Sequence, residues 1–179
     1  MTSIEIGRSK HASRAYSFDD VALVPMKRVR DAADVTLTWK IDAYEFEHPI
    51  MMAPMDSIAS PATVIEYSKL GGLAVLDLEG LWTRLEDPST ALNELASLKG
   101  SVGVKRLQEL YAAPVDADLM RERVSQLRDA GIAVAGALSP QAAAMHHDAV
   151  IKAGLDIFVI RGTTVSAEHV SEKSESLNL

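Results

Sequence analysis

The chain has 179 residues, 18 Lys and Arg against 25 Asp and Glu for a net charge of −7, 47% hydrophobic residues and no cysteine. That length suffices for one domain with a sizeable core, while the acidic balance argues against a general nucleic-acid binder, which carries a basic face. The missing cysteine excludes a disulfide framework, a Cys-ligated zinc and a thiol nucleophile within these residues, and no apolar run approaches the roughly 20 residues of a membrane helix.

In chain order, residues 1–15 read as an irregular arm with Arg8, Lys10, His11 and Arg14 and little to bury. They lack the apolar centre of a signal peptide, so a cytoplasmic enzyme or binding domain is the expectation. Val35 to Trp39 alternates as a half-buried strand does. Ile50 to Ala53 is a short apolar run, broken by Pro54-Met55-Asp56-Ser57. Ser60-Pro61 then opens a helix, with Ser as N-cap and Pro at N1, and Gly71-Gly72 closes it. Leu73 to Leu76 is the next apolar run. Asp87 to Leu98 and Val102 to Tyr111 read as two further helices.

Asp116 caps a helix whose apolar positions Met120, Val124 and Leu127 share one face. It ends at Ala130-Gly131, and Ile132 to Leu138 follows as a strand. Ser139-Pro140 opens another helix, which ends at Ala153-Gly154 before the strand Leu155 to Ile160. A unit of helix, glycine and short apolar strand therefore occurs three times. Apolar strands alternating with amphipathic helices imply a parallel sheet buried on both faces. Two α/β architectures fit: an open doubly wound sheet, or half of an eight-stranded (β/α)8 barrel. A dinucleotide-binding doubly wound sheet carries a glycine-rich turn after its first strand. Here that turn is Pro54-Met55-Asp56-Ser57, without glycine, which favours the TIM barrel. A complete barrel takes about 250 residues, so four strands correspond to a half.

In either architecture ligands meet the carboxyl ends of the strands. Candidates there are Asp56 and Ser57, as caps or ligand contacts; Asp77 and Glu79, expected on opposite sides with one facing the mouth; and Arg161, followed by Gly162 and Thr163. Arg161 suits either a phosphate or a pair with Asp77 or Glu79. Met51 and Met52 are read as packing, while Met55 lies beyond the strand; His146 and His147 are read as facing solvent, and His169 gives no signal.

Two segments carry a resemblance. Tyr16-Ser-Phe-Asp-Asp-Val-Ala-Leu-Val-Pro25 resembles the opening of the IMP dehydrogenase and GMP reductase family, and Pro49-Ile-Met-Met-Ala-Pro-Met-Asp-Ser57, followed by Leu70-Gly-Gly-Leu73, resembles that family's next motif. Asp77-Leu-Glu-Gly-Leu-Trp-Thr-Arg84 resembles a subgroup without the regulatory CBS pair, and residues 83–115 are too short to hold one. The resemblance implies residues 16–179 as the first four β/α units of a barrel after the arm 1–15. It also implies a purine 5′-monophosphate at the carboxyl face, contacted by Met55 in the loop Ala53, Asp56 and Ser57. It further implies a nicotinamide cofactor, NAD or NADP, near Arg161, Gly162 and Thr163, where members carry Asp at the position of Arg161. A monovalent cation and a homo-oligomer, a tetramer in the family, complete the expectation. The reaction implied is IMP to XMP with NAD, or GMP to IMP with NADPH. The family's nucleophilic Cys has no counterpart in these residues, so this portion alone is expected to be inactive. The alternatives are a non-catalytic purine-nucleotide sensor, or a half-barrel module that acts by self-association.

Overall fold

A computed structural model describes residues 3–25 and 27–162. The chain divides into two compact units after Thr36.

In the first unit, β1 (Ser3–Gly7) and β2 (Lys10–Ser13) pair antiparallel, so the stretch read as irregular holds a hairpin. The turn is made by Ser9 at φ 61°, a left-handed value that pattern reading does not expect from a serine. Ile4 and Ile6 alternate with polar residues over only five positions and stay exposed, so this strand buries no apolar face. Ser17 caps a single 3₁₀ turn, Phe18–Asp20, and Asp20 accepts hydrogen bonds from the Ser17 amide and hydroxyl at 3.0 and 2.9 Å.

The second unit begins with another hairpin, β3 (Trp39–Ile41) and β4 (Tyr44–Phe46). The strand expected at Val35 to Trp39 therefore starts only at its last residue. Asp42 at φ 49° supplies the tight turn, and Trp39 donates its indole N–H to the His48 carbonyl at 2.6 Å. These local bonds fix pairing downstream of the alternating run.

The remaining elements alternate: β5 (Met51–Met52), α1 (Pro61–Lys69), β6 (Leu73–Asp77), α2 (Ser89–Ser97), α3 (Gly100–Tyr111), α4 (Ala117–Asp129), β7 (Ala135–Leu138), α5 (Pro140–Ala153) and β8 (Ile157–Ile160). The caps named by the sequence act as expected. Ser60 accepts from the Thr63 amide at 3.1 Å, Asp116 from the Asp118 amide at 2.7 Å and Ser139 from the Ala142 amide at 3.2 Å. Gly154 ends α5 at φ 76°, a conformation that suits a residue without Cβ.

The four strands β5-β6-β7-β8 form one parallel sheet in which every neighbour is the next strand in the chain. A doubly wound sheet reverses its order at a switch point; this one does not, and the barrel reading stands. The strand alternation separates two layers. Ala74, Leu76, Val134 and Leu138 pack with Val64 of α1, Met120, Val124 and Leu127 of α4, and Ala142 and Val150 of α5. Leu73, Val75, Ala135 and Ala137 face the other way, against Phe46 with Trp39, Ile41 and Tyr44 of the β3–β4 hairpin. Each fully buried leucine of the helix-side layer contributes about 1.5–3 kcal/mol. The hairpin covers the second face, while Asp77 ends the same row of residues at its carboxyl end. Asp77, Ala137 and Val159 stand at one level of the sheet, and Arg161 lies one pleat further on.

Candidate functional site

Beyond the carboxyl ends of the strands lies a cavity of about 680 Å³. Pro54, Met55, Asp56 and Ser57 from the loop after β5, Asp77 at the end of β6 and Arg161 after β8 form its polar side; Leu92, Leu95 and Ala96 of α2 and Leu107 and Tyr111 of α3 form its apolar side. The loop leaves the sheet because Pro54 ends the β5 pairing and the Met55 carbonyl accepts from the Ala59 amide at 2.7 Å, which starts the turn into α1. Met55 is half exposed at the cavity, in keeping with its reading as distinct from Met52, which packs on the core.

Arg161 is the hub of the polar side. One Nη donates to the Pro54 carbonyl at 2.8 Å. The other meets Asp77 Oδ2 at 3.2 Å and Glu79 Oε1 at 3.0 Å. Glu79 in turn accepts from the Ser139 amide and hydroxyl, both at 2.9 Å, while the Glu79 amide donates to Asp77 Oδ1 at 3.1 Å. Four strand ends are thus tied by one charge network. The expectation that Asp77 and Glu79 point to opposite sides is corrected: both touch Arg161, because positions two apart share a side of a strand. Of the two roles left open for Arg161, the pair with these carboxylates is the one observed.

Burial pushes the Asp77 carboxyl up, and the Glu79 amide and Arg161 offset this only in part. For Glu79 burial also opposes ionisation, but the hydrogen bonds from Ser139 and Arg161 outweigh it and hold the carboxyl below its ordinary range. The two carboxyls are therefore shifted in opposite directions, Asp77 up by burial and Glu79 down by its hydrogen bonds.

Asp56 forms a second junction. Its Oδ2 accepts from the Leu81 amide at 2.7 Å and from the Tyr111 hydroxyl, whereas its Oδ1 is buried with no hydrogen-bond partner among the described residues. Asp56 thus binds the loop to the residues after β6 rather than capping α1. Ala53 and Ser57 lie exposed beside it. Gly162 packs against Pro140: a Cβ added there would fall 2.8 Å from its Cγ. Thr163 and His169 lie outside the described residues. His147 is exposed and His146 partly so, and among the described residues no cluster of His, Cys, Asp and Glu is arranged to hold a metal ion. No described helix is long and apolar enough to cross a membrane.

Tyr111, which lines the cavity, and Arg84, which supports it, are residues that sequence reasoning missed. The Arg84 Nε donates to the Glu79 carbonyl at 3.0 Å and an Nη to the Tyr111 carbonyl at 3.1 Å. Glu79 is a local partner, but Tyr111 lies across an inserted helical pair from Arg84, where no local spacing signals contact.

The family model of the IMP dehydrogenase / GMP reductase domain matches residues 15–178. The chain belongs to that family. It is 40% identical over 181 residues to an uncharacterized oxidoreductase of Mycolicibacterium smegmatis and equally to one of Mycobacterium tuberculosis, covering 98% of this chain and 48% of each relative. An inosine-5′-monophosphate dehydrogenase of Korarchaeum cryptofilum is 34% identical over 62 residues, 35% of this chain and 13% of that protein. The crystal structure of an IMP dehydrogenase/GMP reductase-like protein from Corynebacterium glutamicum superposes with a TM-score of 0.81 at 45% identity, covering 94% of this chain and 46% of that one. The chain thus spans about half the length of the curated relatives it matches.

Proposed function

We propose that the full-length protein is a purine-nucleotide oxidoreductase of the IMP dehydrogenase/GMP reductase type. It binds a purine 5′-monophosphate in the cavity beyond the strand ends and converts IMP to XMP with NAD, or GMP to IMP with NADPH. The observation that carries this reading is the position of the loop Ala53-Pro-Met-Asp-Ser57. The segment that resembles the family's motif is the one that lines the cavity opposite α2 and α3.

In this reading Met55 contacts the purine, Ala53 and Ser57 border it, and Asp56 holds the loop. Asp77, Glu79 and Arg161 set the charge at the mouth. A nicotinamide cofactor supplies the hydride acceptor or donor when bound. The Arg161 Nη groups face Pro54, Asp77 and Glu79, and Gly162 is packed on Pro140; as placed, these two do not fit a grip on a cofactor phosphate, and no step is assigned to them. The 179 residues contain no cysteine, and a Ser or Thr is a much weaker nucleophile at neutral pH, so these residues alone are inactive in this reading. A cytoplasmic homo-oligomer is the proposed working form.

Removing the Met55 side chain with Met55→Ala weakens purine-nucleotide binding by about 1–3 kcal/mol through loss of a shape-filling contact. Calorimetric titration of IMP and GMP into the full-length wild type and variant checks this; equal affinities would remove Met55 from the site. Nicotinamide absorbance, followed with IMP plus NAD or NADP and with GMP plus NADPH, separates the enzyme from a sensor. Nucleotide-dependent absorbance change supports the oxidoreductase, and tight binding without turnover supports the non-catalytic alternative.

A further inference from the structure

The hairpin of α2 and α3 occupies the connection between β6 and α4 and presents Leu92, Leu95, Ala96 and Leu107 to the cavity. Such a wall works only if its distance from the loop carrying Met55 is fixed. Two residues at the ends of the insertion fix it. Arg84 donates to the Glu79 carbonyl on one side and to the Tyr111 and Ala113 carbonyls on the other. A cation thereby sits against the carbonyls that the end of α3 leaves unpaired, where it is favoured electrostatically. Its guanidinium also lies 5.4 Å from the Tyr111 ring centroid, within cation–π range. The Tyr111 hydroxyl then reaches Asp56 Oδ2, which accepts the Leu81 amide as well. One carboxylate, adjacent in sequence to Met55, thus joins the loop after β5, the turn after β6 and the last turn of α3.

We propose that Tyr111 is a positioning residue for the nucleotide site. Its hydroxyl latches the α2–α3 hairpin onto Asp56, which holds the apolar wall and Met55 at the separation that receives an uncharged planar base. This rests on the proposed nucleotide reading of the cavity. Burial, together with the bond to Asp56 and its negative charge, pushes the Tyr111 hydroxyl up, so it remains a donor across the physiological range and the latch does not switch with pH there.

Tyr111→Phe in the full-length protein tests the latch, because it removes the hydroxyl and keeps the ring for Arg84. Amide hydrogen exchange without nucleotide is expected to speed up in both residues 54–57 and residues 89–111 and to stay unchanged in β6 and β7. IMP or GMP affinity is expected to fall about tenfold, the effect of losing a hydrogen bond to a charged group, with KM raised and kcat nearly unchanged. Asp56→Ala combined with Tyr111→Phe is expected to cost no more than Asp56→Ala alone, since the Tyr111 hydroxyl has then already lost its acceptor. Unchanged exchange in both segments overturns the latch. Faster exchange with wild-type affinity overturns the positioning role. If the wild type binds neither nucleotide, the nucleotide reading fails and the positioning role falls with it, while the exchange result still decides whether Tyr111 holds the hairpin.

Discussion

Gly80→Ala is expected to lose most nucleotide affinity and about 1–3 kcal/mol of stability, the range for overpacking a filled site. The backbone at Gly80, φ −80° and ψ −170°, is extended and open to any residue. The penalty is steric. An added Cβ would collide with Asp56 Oδ1 and stand 2.7 Å from its Cγ. Asp56 cannot swing aside without releasing the Leu81 amide and the Tyr111 hydroxyl from Oδ2. The change therefore pushes directly on the loop that carries Met55. Thermal unfolding and IMP and GMP titration of the full-length variant check it. Wild-type stability and affinity would show that Asp56 yields freely and is no anchor.

Arg161→Ala is expected to destabilise the full-length protein by about 1–3 kcal/mol at neutral pH. Breaking a fully buried pair costs about 3–5 kcal/mol; the Arg161 side chain is 40% exposed, and solvent screening lowers the figure. Asp77 is left buried beside Glu79 without the guanidinium that pairs with both. The pH dependence has a definite sign. Arg161 lowers both carboxyls, so its removal raises them. The lost stability is fully present above the raised Asp77 value and shrinks as pH falls and the carboxyls take up protons. Denaturant unfolding at about pH 7 and at about pH 4, in the ordinary carboxylate range, is expected to show the larger gap at pH 7. A gap that widens on acidification would contradict the charge network, and unchanged stability with altered cofactor preference would place Arg161 on the cofactor instead.

The parts of this architecture that depend on neighbouring residues were legible in the sequence. Ser60, Asp116 and Ser139 announce their helices because an N-cap acts within three residues, and Gly154 announces an end because its conformation is local. The three glycine-closed units then imply the parallel sheet. Strand limits were less exact: Ile132 to Ala133 reads as strand, yet pairing starts at Ala135. Hairpin β1–β2 escaped notice because its side chains are exposed. At the site, Met55 and Arg161 were found because strand ends are identifiable from apolar runs. Tyr111 was not, because Asp56 and Tyr111 are separated by 55 positions and meet only through the packing of an inserted helical pair. The clue available was that Arg84 and Tyr111 flank that insertion.

The most direct test of the central claim is the location of nucleotide protection on the full-length protein. Hydrogen exchange measured with and without saturating IMP, and again with GMP, is predicted to show protection by at least one nucleotide in residues 53–57 and in residues 77–80, at the carboxyl ends of β5 and β6. Protection confined to other regions, or none with either nucleotide, would contradict a purine-nucleotide site beyond these strand ends.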